Sequence, residues 1–116
     1  LSTYGENFDQ NGKPFVEVFE YKTIGLPADI LPKTIGIQRP DYIKMDVDGI
    51  EHIILSGAKD ILSQVKGIIV EINDDFKEQA SVSHKILSDA GLTFVKKFDE
   101  HSTQDFHQYN QLWERR

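Results

Sequence analysis

Two short apolar runs, residues 42–47 (YIKMDV) and 67–73 (GIIVEIN), bracket a stretch with helical periodicity, and this constrains the fold more than any other feature. Between them Ile50, Ile53, Ile54, Ala58, Ile61, Leu62 and Val65 recur at helical spacing, and Lys66 and Gly67 close the period. Strand, helix and strand in that order predict parallel neighbours joined by a right-handed crossover. The second run is rich in β-branched residues and reads as a strand buried on both faces. Residues 76–90 read as another helix ended by Gly91, and residues 92–98 as a third, again parallel strand. A polar loop over 99–108 then leads to a last strand over 109–114. With no helix between them, the last two strands should pair antiparallel.

The first third of the chain is less regular. Residues 1–14 are turn-rich, residues 15–21 read as a strand, and Gly25, Pro27, Pro32, Gly36 and Pro40 leave room only for a helical turn near 28–31. A chain of 116 residues is enough for one domain. The expected organisation is a single α/β domain over 1–116: an irregular segment with one strand over 1–39, then an α/β core over 40–116.

In open parallel sheets ligands collect beyond the carboxyl ends of the strands. That rule selects Asp46 and Asp48 after one strand, and Glu71, Asn73 and Asp74 after its neighbour. Adjacent strands lie about 5 Å apart, so these groups can address one ligand. Strand alternation puts Lys44 and Asp46 on one face, and Glu71 and Asn73 likewise share a face. A charge inside a buried strand requires a partner, which predicts a Lys44 pair with Glu71 or Asp46. A carboxylate cluster of this kind can accept a proton from a nucleophile or hold a cation. The alternative for Asp46 is a structural role in a Lys–Glu pair.

Asp48 and Glu51, three apart before an apolar run, also have the form of a capping box. Glu51 is therefore assigned to the cap, while Asp48 stays open between cap and chemistry. Asp75 and Glu78 repeat the pattern. Of the four histidines, His52 stands at the start of the first helix, within reach of the cleft, where a general base or a surface position are both open. His84 is expected to be an exposed mid-helix residue, and His101 and His107 to lie in the polar loop, without zinc-ligand spacing.

Net charge of −6 argues against nonspecific binding to nucleic acid or anionic membranes. No apolar stretch reaches membrane-spanning length, and the lack of a signal-peptide pattern leads to a cytoplasmic expectation. With no cysteine, disulfides and thiolate metal sites are excluded. The eight glycines never occur two apart, so no Gly-x-Gly phosphate or cofactor loop exists in the chain.

Residues 40–62 (PDYIKMDVDGIEHIILSGAKDIL) resemble the FkbM-type methyltransferases. That family carries Lys-x-Asp-x-Glu-Gly-x-Glu, then Leu-x-Gly-Ala, then a strand with Val-Glu. The matching positions are Lys44, Asp46, Asp48, Gly49 and Glu51, then Leu55, Gly57 and Ala58, then Val70 and Glu71. Asp48 stands where the family usually has the longer Glu. The resemblance implies the C-terminal part of a Rossmann-like, S-adenosylmethionine-dependent enzyme that methylates a sugar or other small-molecule hydroxyl. It implies Asp46 at the methionine end of the cofactor, Asp46, Asp48 and Glu71 in catalysis, and Lys44, His52 and Asn73 near the acceptor. The glycine-rich loop and ribose-binding acid of the family have no counterpart here, so the chain alone is expected to be inactive. Without the strand that adjoins it in the family's sheet order, segment 42–47 is an open edge. That predicts a homo-oligomer, or cover by the N-terminal segment.

Two rivals remain. Met45-Asp46-Val47-Asp48-Gly49 also resembles the Asp-x-Asp-Gly start of haloacid-dehalogenase-type, Mg-dependent phosphatases, which follow it with a turn and flap rather than a helix. A divalent metal held by Asp46, Glu71 and Asn73 is the metal-dependent variant of methyl transfer, and the expectation is that no metal is needed. The other rival is a non-catalytic interaction module.

Overall fold

The computed structural model describes residues 22–98 and 108–116. The expected strand over 15–21, and the loop that carries His101 and His107, lie outside the described residues. Elements follow in the order of a 3-10 turn (Ala28–Ile30), α1 (Leu31–Thr34), β1 (Tyr42–Met45), α2 (Glu51–Ser56), α3 (Lys59–Leu62), β2 (Gly67–Asn73), α4 (Lys77–Asp89), β3 (Leu92–Phe98) and β4 (Gln108–Arg115).

The four strands form one mixed sheet in the order β1-β2-β4-β3. β1 and β2 are parallel, with Tyr42 opposite Gly67 and Met45 opposite Val70. β4 runs antiparallel to both β2 and β3. The antiparallel pairing of the last two strands is as expected. The third strand, however, does not adjoin the second: β4 inserts between them. Element order cannot reveal such an insertion, because a returning strand joins whichever edge buries it best.

β2 also departs from the expectation of burial on both faces. Gly67, Ile68, Val70 and Ile72 are buried, whereas Ile69, Glu71 and Asn73 are half-buried. The buried face meets the helices in a core that includes Leu55, Leu62, Val65, Ile68, Val70 and Leu87, all essentially inaccessible to water. Each such side chain contributes about 1.5–3 kcal/mol through burial.

The apolar period over 50–65 was expected to be one helix. It breaks at Gly57 into α2 and α3. The 3-10 turn presses against that break: Pro27 sits where a Cβ on Gly57 would be 3.4 Å away, and the Asp29 N–H donates to the Gly57 carbonyl at 3.1 Å. Asp29 then serves as a remote cap for α3, its two carboxylate oxygens accepting from the N–H groups of Asp60 and Ile61 at 2.9 Å each. Thus a segment distant in sequence converts a continuous period into two short helices.

Arg115, near the end of β4, fastens the opposite ends. Its guanidinium donates to the carbonyls of Val65 (2.9 Å), Ala90 (2.8 Å) and Leu62, at and beyond the C-termini of α3 and α4. These are acceptors that a helix end leaves unsatisfied. Gly91 has a φ of 87°, which is strained for a residue with a side chain, and a Cβ there would displace the Arg115 guanidinium, whose Nη1 would lie 2.6 Å away.

Candidate active site

Parallel pairing of β1 with β2 brings their carboxyl ends together, which is the geometry that the candidate residues require. Asp46 follows directly on β1 and is exposed. One further step of the register would set it beside Glu71 on the same face of the sheet. The chain then turns through Gly49, whose φ of 90° is open to glycine but strained for other residues, and its N–H donates to the Val47 carbonyl at 3.0 Å. Asp48 is exposed on this turn, and Glu71 and Asn73 are half-buried on β2. Asp46, Asp48, Glu71 and Asn73 therefore occupy one end of the β1–β2 pair.

The residue that sequence reasoning undervalued is Glu51. It opens α2, yet only 7% of it is exposed. Its Oε1 accepts from the Gly49 N–H at 3.4 Å, so the side chain does fold back on the turn as a cap would. Burial nevertheless pushes its carboxyl up from an ordinary 4.5 to about 7. The backbone N–H groups of Glu51 and Gly49 oppose that rise, while the negative charges of Glu71 and Asp48 add to it. Glu51 thus binds and releases a proton near neutrality, next to two carboxylates already selected. A partial signal existed: Glu51 stands in helical period with Leu55, Ala58 and Leu62, all of them buried, although the period is divided between α2 and α3.

Several other expectations change. Lys44 is exposed and makes no ion pair among the described residues, so the pair with Glu71 or Asp46 does not form. An outer-strand position leaves its ammonium in water, which removes the need for a partner. Asp48 is not the α2 cap: Ile50 holds that position, with no side-chain cap bond. The Asp75–Glu78 pattern likewise fails, because α4 is preceded by Phe76; instead Asn73 Oδ1 accepts from the Asp75 N–H at 2.9 Å. Asp74 is engaged by Lys97 Nζ at 2.6 Å. His84 is half-buried rather than exposed, its ring 5.4 Å from that of Trp113. His52 is half-buried, and its Nδ1 is shielded from water without a hydrogen-bond partner among the described residues.

Beside the carboxylates, an apolar groove of about 620 Å³ runs between the segment that precedes the 3-10 turn and α2. Leu26, Pro27, Val47, Ile50 and Ile53 line it. Its walls continue the β1-to-α2 turn, so the groove and the acidic residues share the same connection.

Among the described residues, no three His, Asp or Glu side chains converge as a metal site. No described helix is long and apolar enough to cross a membrane. Neither a curated protein nor a solved structure matches the chain. A family profile does: residues 7–111 match the methyltransferase FkbM domain. That match spans most of the sequence and includes every acidic residue just placed at the strand ends. The chain belongs to the FkbM-domain methyltransferase family.

Proposed function

We propose that this chain forms the acceptor side of a Rossmann-like, S-adenosylmethionine-dependent enzyme that O-methylates a sugar or another small hydroxyl compound. The family match over residues 7–111 carries this reading. It is supported by the gathering of Asp46, Asp48, Glu51 and Glu71 around the carboxyl ends of two parallel strands.

The residues present fit the methionine end of the cofactor. Exposed carboxylates at Asp46 and Asp48 complement its sulfonium and ammonium charges, and Val47 and Ile50 offer apolar contact for its methylene chain. When bound, the cofactor supplies an electrophilic methyl group. Asp46, beside the acceptor, takes the hydroxyl proton as the oxygen attacks, and positioned proton transfer of this kind is worth about 10²–10⁴ in rate. Asp48 and Glu71 keep the site negative and hold the proton's path to solvent. Lys44, His52 and Asn73 orient the acceptor's remaining hydroxyls from the rim.

Because this sequence holds no Gly-x-Gly loop, the chain alone is expected to bind the cofactor weakly and to transfer no methyl group. The test uses methyl-labelled S-adenosylmethionine and a panel of sugars and hydroxylated small molecules. The chain is assayed alone and mixed with the glycine-loop half of another family member. Transfer only in the mixture, lost in Asp46→Asn, supports the reading. No transfer in the mixture refutes methyl transfer, and tight calorimetric binding by the chain alone refutes its dependence on a second half.

A further inference from the structure

We propose that Glu51 is a positioning residue for the acidic strand ends: folded back under the β1-to-α2 turn, its carboxyl keeps that turn closed while protonated and releases it once ionised. The inference rests on the reading of Asp46 and Asp48 as residues of a methyl-transfer site. β1 ends at Met45, so both aspartates stand beyond the strand, on the turn through Gly49. A single N–H ties the turn together. It belongs to Gly49 and donates to the Val47 carbonyl at 3.0 Å and to Glu51 Oε1 at 3.4 Å. The second contact is longer than an ordinary N–H···O bond, which suits a tie that forms and releases. Ile50, at the cap position of α2, adds no side-chain bond.

The surroundings of Glu51 decide which protonation state holds it there. Among the described residues the charges that act on it are both negative: Glu71, on β2, and Asp48, on the turn itself. The helices packed against α2, α3 and α4, add no charge that acts on it, and neither does the neighbouring His52. An ionised Glu51 is therefore buried, faces two carboxylates and has only backbone N–H groups to offset its charge. Its place at the very start of α2 leaves a short path to water. Moving outward relieves both burial and repulsion, and gives up the Gly49 N–H. The neutral acid has no such cost and stays beneath the turn. The closed turn thus binds the proton more tightly than the open one. Closure is fully favoured below the ordinary carboxyl value of 4.5, and that advantage is lost as pH rises to about 7. The site is best assembled on the acid side of neutrality, where Glu51 holds the loop and Asp46 remains the base.

Solvent exchange of the Gly49 amide, followed by NMR on the full chain from about pH 5 to about pH 8 and divided by the unstructured-peptide rate, reads the opening. In the wild type this protection should fall at least about tenfold, levelling off near the pH at which the Glu51 carboxyl resonance titrates. Glu51→Gln keeps the shape and the acceptor without the charge, so its protection should hold within about twofold across the same range. The Val70 amide, on β2, should stay at least about tenfold more protected than Gly49, which confines the opening to the turn. Equal exchange at Gly49 and Val70 overturns the proposal, because Glu51 then acts only on global stability. A Gly49 profile that is the same in wild type and variant overturns it too. None of these measurements needs cofactor or acceptor. In the two-part transfer assay, the ratio of Glu51→Gln to wild-type activity should rise from about pH 6 to about pH 8. A constant ratio overturns the positioning role and leaves methyl transfer standing, whereas no transfer by either protein removes the reading on which this role rests.

Discussion

Replacing Glu51 by Gln should change how stability depends on pH, and the direction follows from the structure. The Glu51 carboxyl lies near 4.5 in an unfolded chain and is raised to about 7 when folded, chiefly by burial. Between those values the folded protein binds more protons than the unfolded one. The associated stability is therefore fully present below about pH 4.5, and is lost as pH rises through about 7. At about 1.4 kcal/mol for each tenfold difference in proton affinity, the gap corresponds to about 3 kcal/mol. Water at the open start of α2 and relaxation of the turn reduce the expected figure to about 1–3 kcal/mol. Glutamine keeps the shape of the protonated acid and carries no charge toward Asp48 and Glu71. Urea unfolding of both proteins from about pH 4 to about pH 8 isolates this group, because other titrations cancel in the difference. The variant should match the wild type to within about 0.5 kcal/mol at the acid end, and exceed it by about 1–3 kcal/mol at the alkaline end. Parallel curves across the range would refute the assignment of Glu51 as a buried acid that ionises near neutrality.

Three further outcomes are expected. Arg115→Ala removes donors from three carbonyls at once and should lower unfolding free energy by about 3 kcal/mol in urea; a loss below about 1 kcal/mol would mean that water replaces the guanidinium freely. Asp29→Ala should cost about 1–2 kcal/mol through the lost α3 cap, with Asp29→Asn much closer to wild type by the same assay. Gly49→Ala should cost more than about 1 kcal/mol, read as a lower urea midpoint, since φ of 90° is unfavourable for alanine; an unchanged midpoint would contradict that turn geometry.

The sequence alone determined the parallel β1–β2 pair, the helices between and after them, the antiparallel last strands and the acidic strand ends. Those features follow from local periodicity: alternation or a β-branched run for strands, a three-to-four repeat for helices. It also carried the family resemblance, because motif residues keep their spacing. Tertiary structure alone decided the rest. The insertion of β4 between β2 and β3 depends on which edge a returning strand finds. The split at Gly57 depends on Pro27 and Asp29, about thirty residues earlier in the chain. The burial of Glu51 has the same origin. A charged residue three places after an aspartate matches a cap locally, and only the packing of α2 against the core turns it into a buried acid near Glu71. Local sequence sets which conformation each segment prefers, whereas solvent exclusion and long-range hydrogen bonds exist only after the chain closes on itself.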